Sequence, residues 1–457
     1  MSSEKKNHSR ILADYVSAMK YDDFSKETVD NAKSRIIDFF ASAMAGKKTN
    51  EPMNKAAMSV MKQMGGVPES TVMFNDCKIP ASNAAFMNGF YGHGADLDDG
   101  NIIAMGHPGV HVVPAVFSAA EVTKSSVKDI LTAIIAGYDV FVRVSAVVMP
   151  SLLTRGFHST GVIGSIASAA AVAKLLGLDA DGIHRAMGLG AIATSGLFET
   201  SQTAQSMKPL NSANAARTGV FSAQFASAGA ESPEEPFDGV KGFFRAFADE
   251  TKPDEIEKDL GKVFHVDTSY TKLYPACRHI HGILDCVIEF YREGVKPENI
   301  DKIILYLYPN GIPIVGGIRE PKDEGGAKFS VFYCAAIGLT KGSFGLKDLE
   351  NPQQISKTAL DLIGKMELVS APELEIREKR IRGARIEIVH KDGTISKKEV
   401  AVPKGEPQSP VTWKDMKAKL EGCAEGVLSK EKQQKFYDLI YSFETLSGID
   451  EIMDILK

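Results

Sequence analysis

The stretch 130–149, the most apolar long run in this 457-residue chain, sets the first limit on its fold. It is long enough to cross a bilayer, but Tyr138, Asp139 and Arg143 interrupt it, and ionisable side chains at the middle of a membrane helix are costly. It therefore reads as a helix buried on all sides, which needs a large helical bundle around it. The neighbouring segments supply one. Residues 156–174 are Ala-rich and stop at Gly177, and Ala167, Ser168, Ala169, Ala170 and Ala171 are small enough for close helix packing. Ser126 and Asp129 form a capping-box pattern ahead of the 130–149 helix. Residues 8–46 read as two helices. The second places Val29, Ala32, Ile36, Ile37, Phe40, Ala43 and Met44 at helical spacing, with Gly46 as its stop. Further helices are expected at 81–91 and 181–196, and a short extended piece or hairpin at 70–80.

Composition shifts near residue 265. Residues 302–308 are strand-like, and two alternating runs flank Asp392-Gly393, a strong hairpin signal. Helices near 281–292 and 328–340 lie between them. Pro-rich 403–410 reads as a linker, and 413–457 returns to amphipathic helices. The expected fold is mainly α: a large all-helical domain formed by both chain ends, 1–265 and 411–457, with a smaller α+β domain, 266–410, inserted.

Hydrophobic content of 44% and charged content of 24% are those of a soluble globular protein. A net charge of −5 gives no general attraction for nucleic acid or for an anionic membrane, so neither is expected as a partner. Any anionic substrate must be held by a local cluster of cations. None of the five cysteines forms a CxxC pair, which argues against a zinc ribbon or an iron–sulfur cluster. Their odd number and the polar N-terminus suggest a reducing compartment, and a cytoplasmic location is expected. No Walker A, HExxH, GxSxG or EF-hand pattern occurs. The glycines at 188 and 190 follow a helix instead of a strand, so they are no dinucleotide fingerprint.

Residues 91–112, YGHGADLDDGNIIAMGHPGVHV, place His93, Asp96, Asp98, Asp99, His107 and His111 among glycines, between apolar helices. Acids and imidazoles on a glycine-bearing loop in such surroundings make a candidate site, because glycine lets backbone approach a ligand closely. A metal on His93, Asp96, Asp98 and Asp99 is conceivable, but their spacing fits no standard ligand set and metal is set aside. Asp98, Asp99 and His93 are expected to shape the loop, and His111 to be packed. Three more stretches carry polar chemistry. GFHSTG (156–161) contains His158, where Ser159 or Thr160 would also suit a helix cap. Lys208 precedes Pro209, and Gln202, Gln205 and Asn211 nearby would suit a polar pocket. Residues 272–281 hold Lys272, Cys277, Arg278, His279 and His281, whose cations could bind carboxylates.

These blocks together resemble the MmgE/PrpD family, which includes 2-methylcitrate dehydratases, cis-aconitate decarboxylases and an iminodisuccinate epimerase. The resemblance rests on HGADLDDG with GHPG, then AGYDVFVRV, GFHSTGVIGSIASAAAVAKLLGLD, KPLNSANAARTGV, KLYPACRHIHGILD, AKFSVFY and PKGEPQSP, in order over nearly the whole chain. It implies a helical domain with an α+β lid, a homodimer, no metal or organic cofactor, and an active site between the domains. The family's aspartate matches Asp96 and the histidine of its HP motif matches His107. The histidine of GFH matches His158, the bundle lysine Lys208 and the lid-side lysine Lys272, while His281 matches a histidine of the lid motif. Three departures stand out. Gly100 replaces a threonine and Cys277 a histidine of decarboxylase-type members, and the Asp96–His107 spacing is one residue longer.

The expected chemistry is proton transfer at carbon next to a carboxylate. Asp96, His107, His158 and Lys208 are the expected catalytic residues; Lys272, Arg278, His281 and Cys277 are the expected substrate-binding ones. The leading expectation is a cofactor-free hydro-lyase acting on a 2-methylcitrate-like di- or tricarboxylate. The alternatives are a cis-aconitate decarboxylase and an epimerase of an iminodisuccinate-like acid. A non-catalytic carboxylate-binding helical dimer is the reading from another class, and it has no need to keep both imidazoles and both lysines.

Overall fold

A computed structural model describes residues 6–200, 205–376 and 381–457; Gln202 lies outside them. The fold is mainly α and forms two compact units, Met1–Tyr270 with Met416–Lys457, and Thr271–Asp415.

The first unit is built from α1 (His8–Ala18), α2 (Lys26–Thr49), α3 (Ala81–His93), α4 (Gly109–Thr123), α5 (Val127–Val148), α6 (Ser159–Leu175), α7 (Ala180–Ile192) and α8 (Pro209–Ser227). A hairpin of β1 (Ser70–Thr71) and β2 (Lys78–Ile79) precedes α3. Among the described residues α5 is the one helix long and apolar enough to cross a membrane, and nearly all of it is buried inside the protein. Its charges are matched within the fold. Arg143 Nε lies 3.1 Å from Asp139, and the guanidinium also donates to the carbonyls of Ile256, Lys258, Asp259 and Val263. Ser126 caps α5 by accepting from the Asp129 amide, so the expected cap forms.

Gly46 does not stop α2, which runs on to Thr49. A Cβ at this position would lie 2.0 Å from the Tyr91 carbonyl oxygen of α3, so the glycine serves close helix approach instead. In chain order the second unit's α9 (His281–Arg292) and α10 (Val331–Lys341) come next, and the chain's other end adds α11 (Trp413–Ala424) and α12 (Lys430–Tyr441). Phe436 of α12 packs edge-on against Phe40 of α2, and the following Phe443 meets Phe117 of α4.

The second unit has its own apolar core, from α9, α10 and a four-stranded sheet. Its strands are β3 (Ile300–Leu307), β4 (Met366–Ser370), β5 (Ala384–His390) and β6 (Ile395–Val400), in the order β4-β3-β5-β6. β3 and β4 run parallel; the other pairs are antiparallel. The β5–β6 hairpin turns at Asp392-Gly393, with Gly393 at φ 85°. Residues 403–410 have no regular secondary structure but are no linker. The Thr271 amide donates to the Gly405 carbonyl, and buried Glu406 pairs with Arg278, so the segment is packed into this unit.

Candidate functional site

Helix α3 ends at His93 and α4 begins at Gly109, so the intervening loop is held at both ends by buried helices. Asn101 folds it: its Oδ1 accepts from the amides of Ile103 and Ala104, and its backbone amide donates to Gly106. Gly100 pairs with Tyr270 across a β-bridge. A Cβ on Gly100 would lie 2.3 Å from the Tyr270 phenol oxygen, so a threonine here would have to displace the ring.

Asp96 adopts φ 54°, left-handed backbone that is strained for a residue with a side chain. Its carboxylate lies 2.6 Å from Lys208 Nζ, and both side chains keep part of their surface exposed (19% and 16%). Lys208 sits at the N-terminus of α8, where Pro209 takes the first helical position, as proline tolerates.

Asp98 is buried and reaches two imidazoles. Its Oδ1 lies 2.9 Å from His93 Nδ1 and its Oδ2 2.9 Å from His107 Nδ1. His107 Nδ1 also lies 2.7 Å from the Asp99 carbonyl oxygen. A ring nitrogen hydrogen-bonded to a carbonyl oxygen carries the proton, so neutral His107 presents the lone pair on Nε2. Burial alone would raise the Asp98 carboxyl, but the two imidazoles hold it well below the usual carboxylate range. Burial pushes His93 down to about 4 against the pull of Asp98.

His158 stands just before α6 and is buried, with its backbone amide donating to the Gly196 carbonyl. Its ring stacks on His93 with centroids 6.2 Å apart, and His93 lies 4.8 Å from the His107 ring. Asn211 Nδ2 lies 3.0 Å from His158 Nδ1. Burial first, and then the Lys208 charge, hold His158 well below the usual histidine range. Ser159 and Thr160 do not cap α6 with their side chains; they tie the two loops together. Ser159 Oγ donates to the Met105 carbonyl, and Thr160 Oγ1 accepts from the His107 amide.

Asp96, His107, His158 and Lys208 thus gather in the first unit, although up to 112 positions separate them in sequence. His111 is packed, fully buried against Phe141 with Nδ1 3.0 Å from Ser168 Oγ. Asp99 lies behind the site, accepting from the Gly109 amide and the Tyr138 hydroxyl; burial and the Asp38 charge push its carboxyl up to about 7. Lys419 of α11 donates to Asp38 and to the Leu97 carbonyl, fixing the loop between Asp96 and Asp98.

In the second unit, Arg278 pairs with Glu406 at 2.8 Å and donates to His281 Nδ1 and the Lys404 carbonyl. His281 is fully buried, and its Nε2 lies 3.2 Å from the Ala276 carbonyl. Both ring nitrogens are therefore engaged inside the unit. Cys277 and Lys272 are buried there too, and the Cys277 amide donates to the Lys328 carbonyl.

Sequence reasoning missed what Asp98 and Asn211 touch. Asn211 was within reach, because it follows Lys208 by three residues and shares its helix face. The Asp98 contacts depend on the loop reversing between two helices, which no local pattern reports. Among the described residues His93, Asp98 and His107 are the group whose donor atoms converge closely enough, all within 4.8 Å, to hold a metal ion. His93 Nδ1 is hydrogen-bonded to Asp98 Oδ1, and His107 Nδ1 stands 2.9 Å from Oδ2, so imidazole–carboxylate pairing accounts for the cluster.

Residues 10–256 match the family model described as the MmgE/PrpD N-terminal domain, and 274–445 match the MmgE/PrpD C-terminal domain. The chain is 28% identical to a cis-aconitate decarboxylase-like protein of Aspergillus oryzae, covering 100% of this chain and 98% of that one. It is 25% identical to a cis-aconitate decarboxylase of Aspergillus terreus (100% and 97% covered) and 23% identical to the human cis-aconitate decarboxylase (99% and 95%).

Proposed function

Because the chain belongs to the MmgE/PrpD family, we propose that it is a lyase moving a proton at a carbon next to a carboxylate of a small di- or tricarboxylate. The observation that carries this reading is His107, whose Nδ1–H donates to the Asp99 carbonyl beside the Asp98 carboxylate, leaving Nε2 as the basic nitrogen. An anchored imidazole backed by a buried carboxylate can take a proton and hold the resulting charge. Lys208 stands nearby to bind a substrate carboxylate and stabilise the enediolate-like charge that grows on it.

In the hydro-lyase reading, His107 Nε2 accepts the carbon-bound proton. The C–H electron pair forms the C=C bond, and the hydroxyl leaves as water with the proton that the His107 imidazolium returns. This reading stands first as the leading expectation from the sequence, and the Tyr270 ring fills the space beside Gly100 that a larger side chain would need. The second reading is a decarboxylase of cis-aconitate, favoured by the names of the relatives. In it, the C–C electron pair released with carbon dioxide shifts through the double bond, and protonated His107 delivers its proton to carbon.

Purified protein incubated separately with 2-methylcitrate and cis-aconitate, followed by mass spectrometry and carbon dioxide release, separates the two. Lys208→Ala and His158→Gln should each lower turnover at least about a hundredfold with the melting temperature kept. Near-normal turnover in either variant sinks the assignment.

A further inference from the structure

Asn211 decides which nitrogen of His158 carries the proton. The Asn211 Nδ2 position faces three groups: the Leu197 carbonyl oxygen at 3.1 Å, His158 Nδ1 at 3.0 Å and Thr200 Oγ1 at 3.3 Å. A carbonyl oxygen only accepts, so the Asn211 atom facing Leu197 must be the amide nitrogen. The Thr200 hydroxyl donates its own proton to the same carbonyl and is the longest of the three contacts. The two amide hydrogens are therefore directed to Leu197 and to His158 Nδ1. A nitrogen that receives a hydrogen bond presents a lone pair, which leaves the His158 proton on Nε2.

We propose that Asn211 is a positioning residue that locks His158 as the neutral Nε2–H tautomer, making His158 a hydrogen-bond donor to substrate oxygen and leaving the base role to His107. The proposal rests on the lyase reading above and sharpens it. His107 is anchored through Nδ1–H by the Asp99 carbonyl and offers a basic Nε2; His158 is held through a bare Nδ1 by a donor and offers an acidic-side Nε2–H. One site thus holds two imidazoles in opposite tautomers, one to take a proton and one to stabilise charge on oxygen. The groups facing His158 agree with this. The Lys208 ammonium opposes a charge on the ring, the stacked His93 is itself held neutral by burial, and the Asp96 carboxylate is matched by Lys208.

The test is nitrogen-15 NMR of protein labelled at histidine, with the His158 signals assigned by their loss in His158→Gln. The expected wild-type spectrum shows His158 with a pyridine-like Nδ1 and a pyrrole-like Nε2. Asn211→Asp replaces the donor by an acceptor of the same shape. It should reverse the two signals and lower kcat about a hundredfold or more, the scale on which loss of one oriented donor acts. Asn211→Ala, which imposes neither tautomer, should leave a mixture and an intermediate kcat. A pyrrole-like Nδ1 in the wild-type protein overturns the proposal and leaves the lyase reading intact. Reversed signals in Asn211→Asp with kcat within twofold of wild type overturn the donor role of His158 itself. Absence of turnover on either acid, with the wild-type tautomer as expected, overturns the lyase reading instead.

Discussion

Asp98 and Asn211 do opposite things to two imidazoles that lie close together. The Asp98 carboxylate stands 2.9 Å from His107 Nδ1, which donates to the Asp99 carbonyl and leaves Nε2 presented, and the Asn211 amide faces the bare nitrogen of His158. Buried neutral histidines also set how stability responds to acid. Burial pushes His111 down to about 3, against an unfolded value of about 6.5. The unfolded chain therefore binds a proton that the folded chain refuses. The stabilisation is complete above about pH 6.5 and is lost as pH falls toward 3, by about 1.4 kcal/mol per pH unit. Asp99, pushed up to about 7, acts in the opposite sense, so total stability mixes both. The difference between wild type and His111→Asn isolates the imidazole. Urea denaturation between pH 6 and 5 should show wild type losing about 1.4 kcal/mol more than the variant; equal losses would show that His111 is not held neutral.

At the scale of elements, the candidate site depends on how helices end. α3 delivers His93, α6 starts after His158, and α8 starts after Lys208, so the loops between helices carry the chemistry on rigid supports. The loop 94–108 has a further support in α11, whose Lys419 reaches the Leu97 carbonyl and Asp38 at 2.6–2.7 Å. Lys419→Met leaves the Asp38 charge buried without this partner and should cost about 3–5 kcal/mol in urea denaturation. The Asp38→Asn, Lys419→Met double variant removes both charges and should recover much of that loss. If the double variant is as unstable as the single one, the ion pair is not what Lys419 contributes. Helix positions were legible in the sequence, because apolar spacing and the Ser126 cap are local. Gly46 and the 403–410 segment were misread for a shared reason. A glycine or a proline-rich stretch marks a place where backbone comes close to something, and only the packed chain shows whether that is a turn or a neighbour.

Over the whole molecule, residues from both ends of the chain build the first unit, while the second has its own core. Removing residues 416–457 strips Phe436 from Phe40, Phe443 from Phe117 and Lys419 from Asp38. The shortened chain should lose the cooperative unfolding transition of the first unit in calorimetry; an unchanged transition would show that the terminal helices only decorate it. The sequence by itself determined that the fold is mainly helical, that 130–149 is a core helix, and which family the ordered blocks belong to. Periodicity, capping residues and motifs are properties of neighbours along the chain, so they can be read without coordinates. Only the tertiary structure decided that Asp98 and not Asp96 stands beside His107, that Asp96 is paired with Lys208, that Arg278 and His281 bind each other, and that Asn211 faces His158. Proton positions follow from which acceptor or donor lies within about 3 Å, and that distance is set by how loops fold back and how helices pack, over separations from 3 to 112 residues.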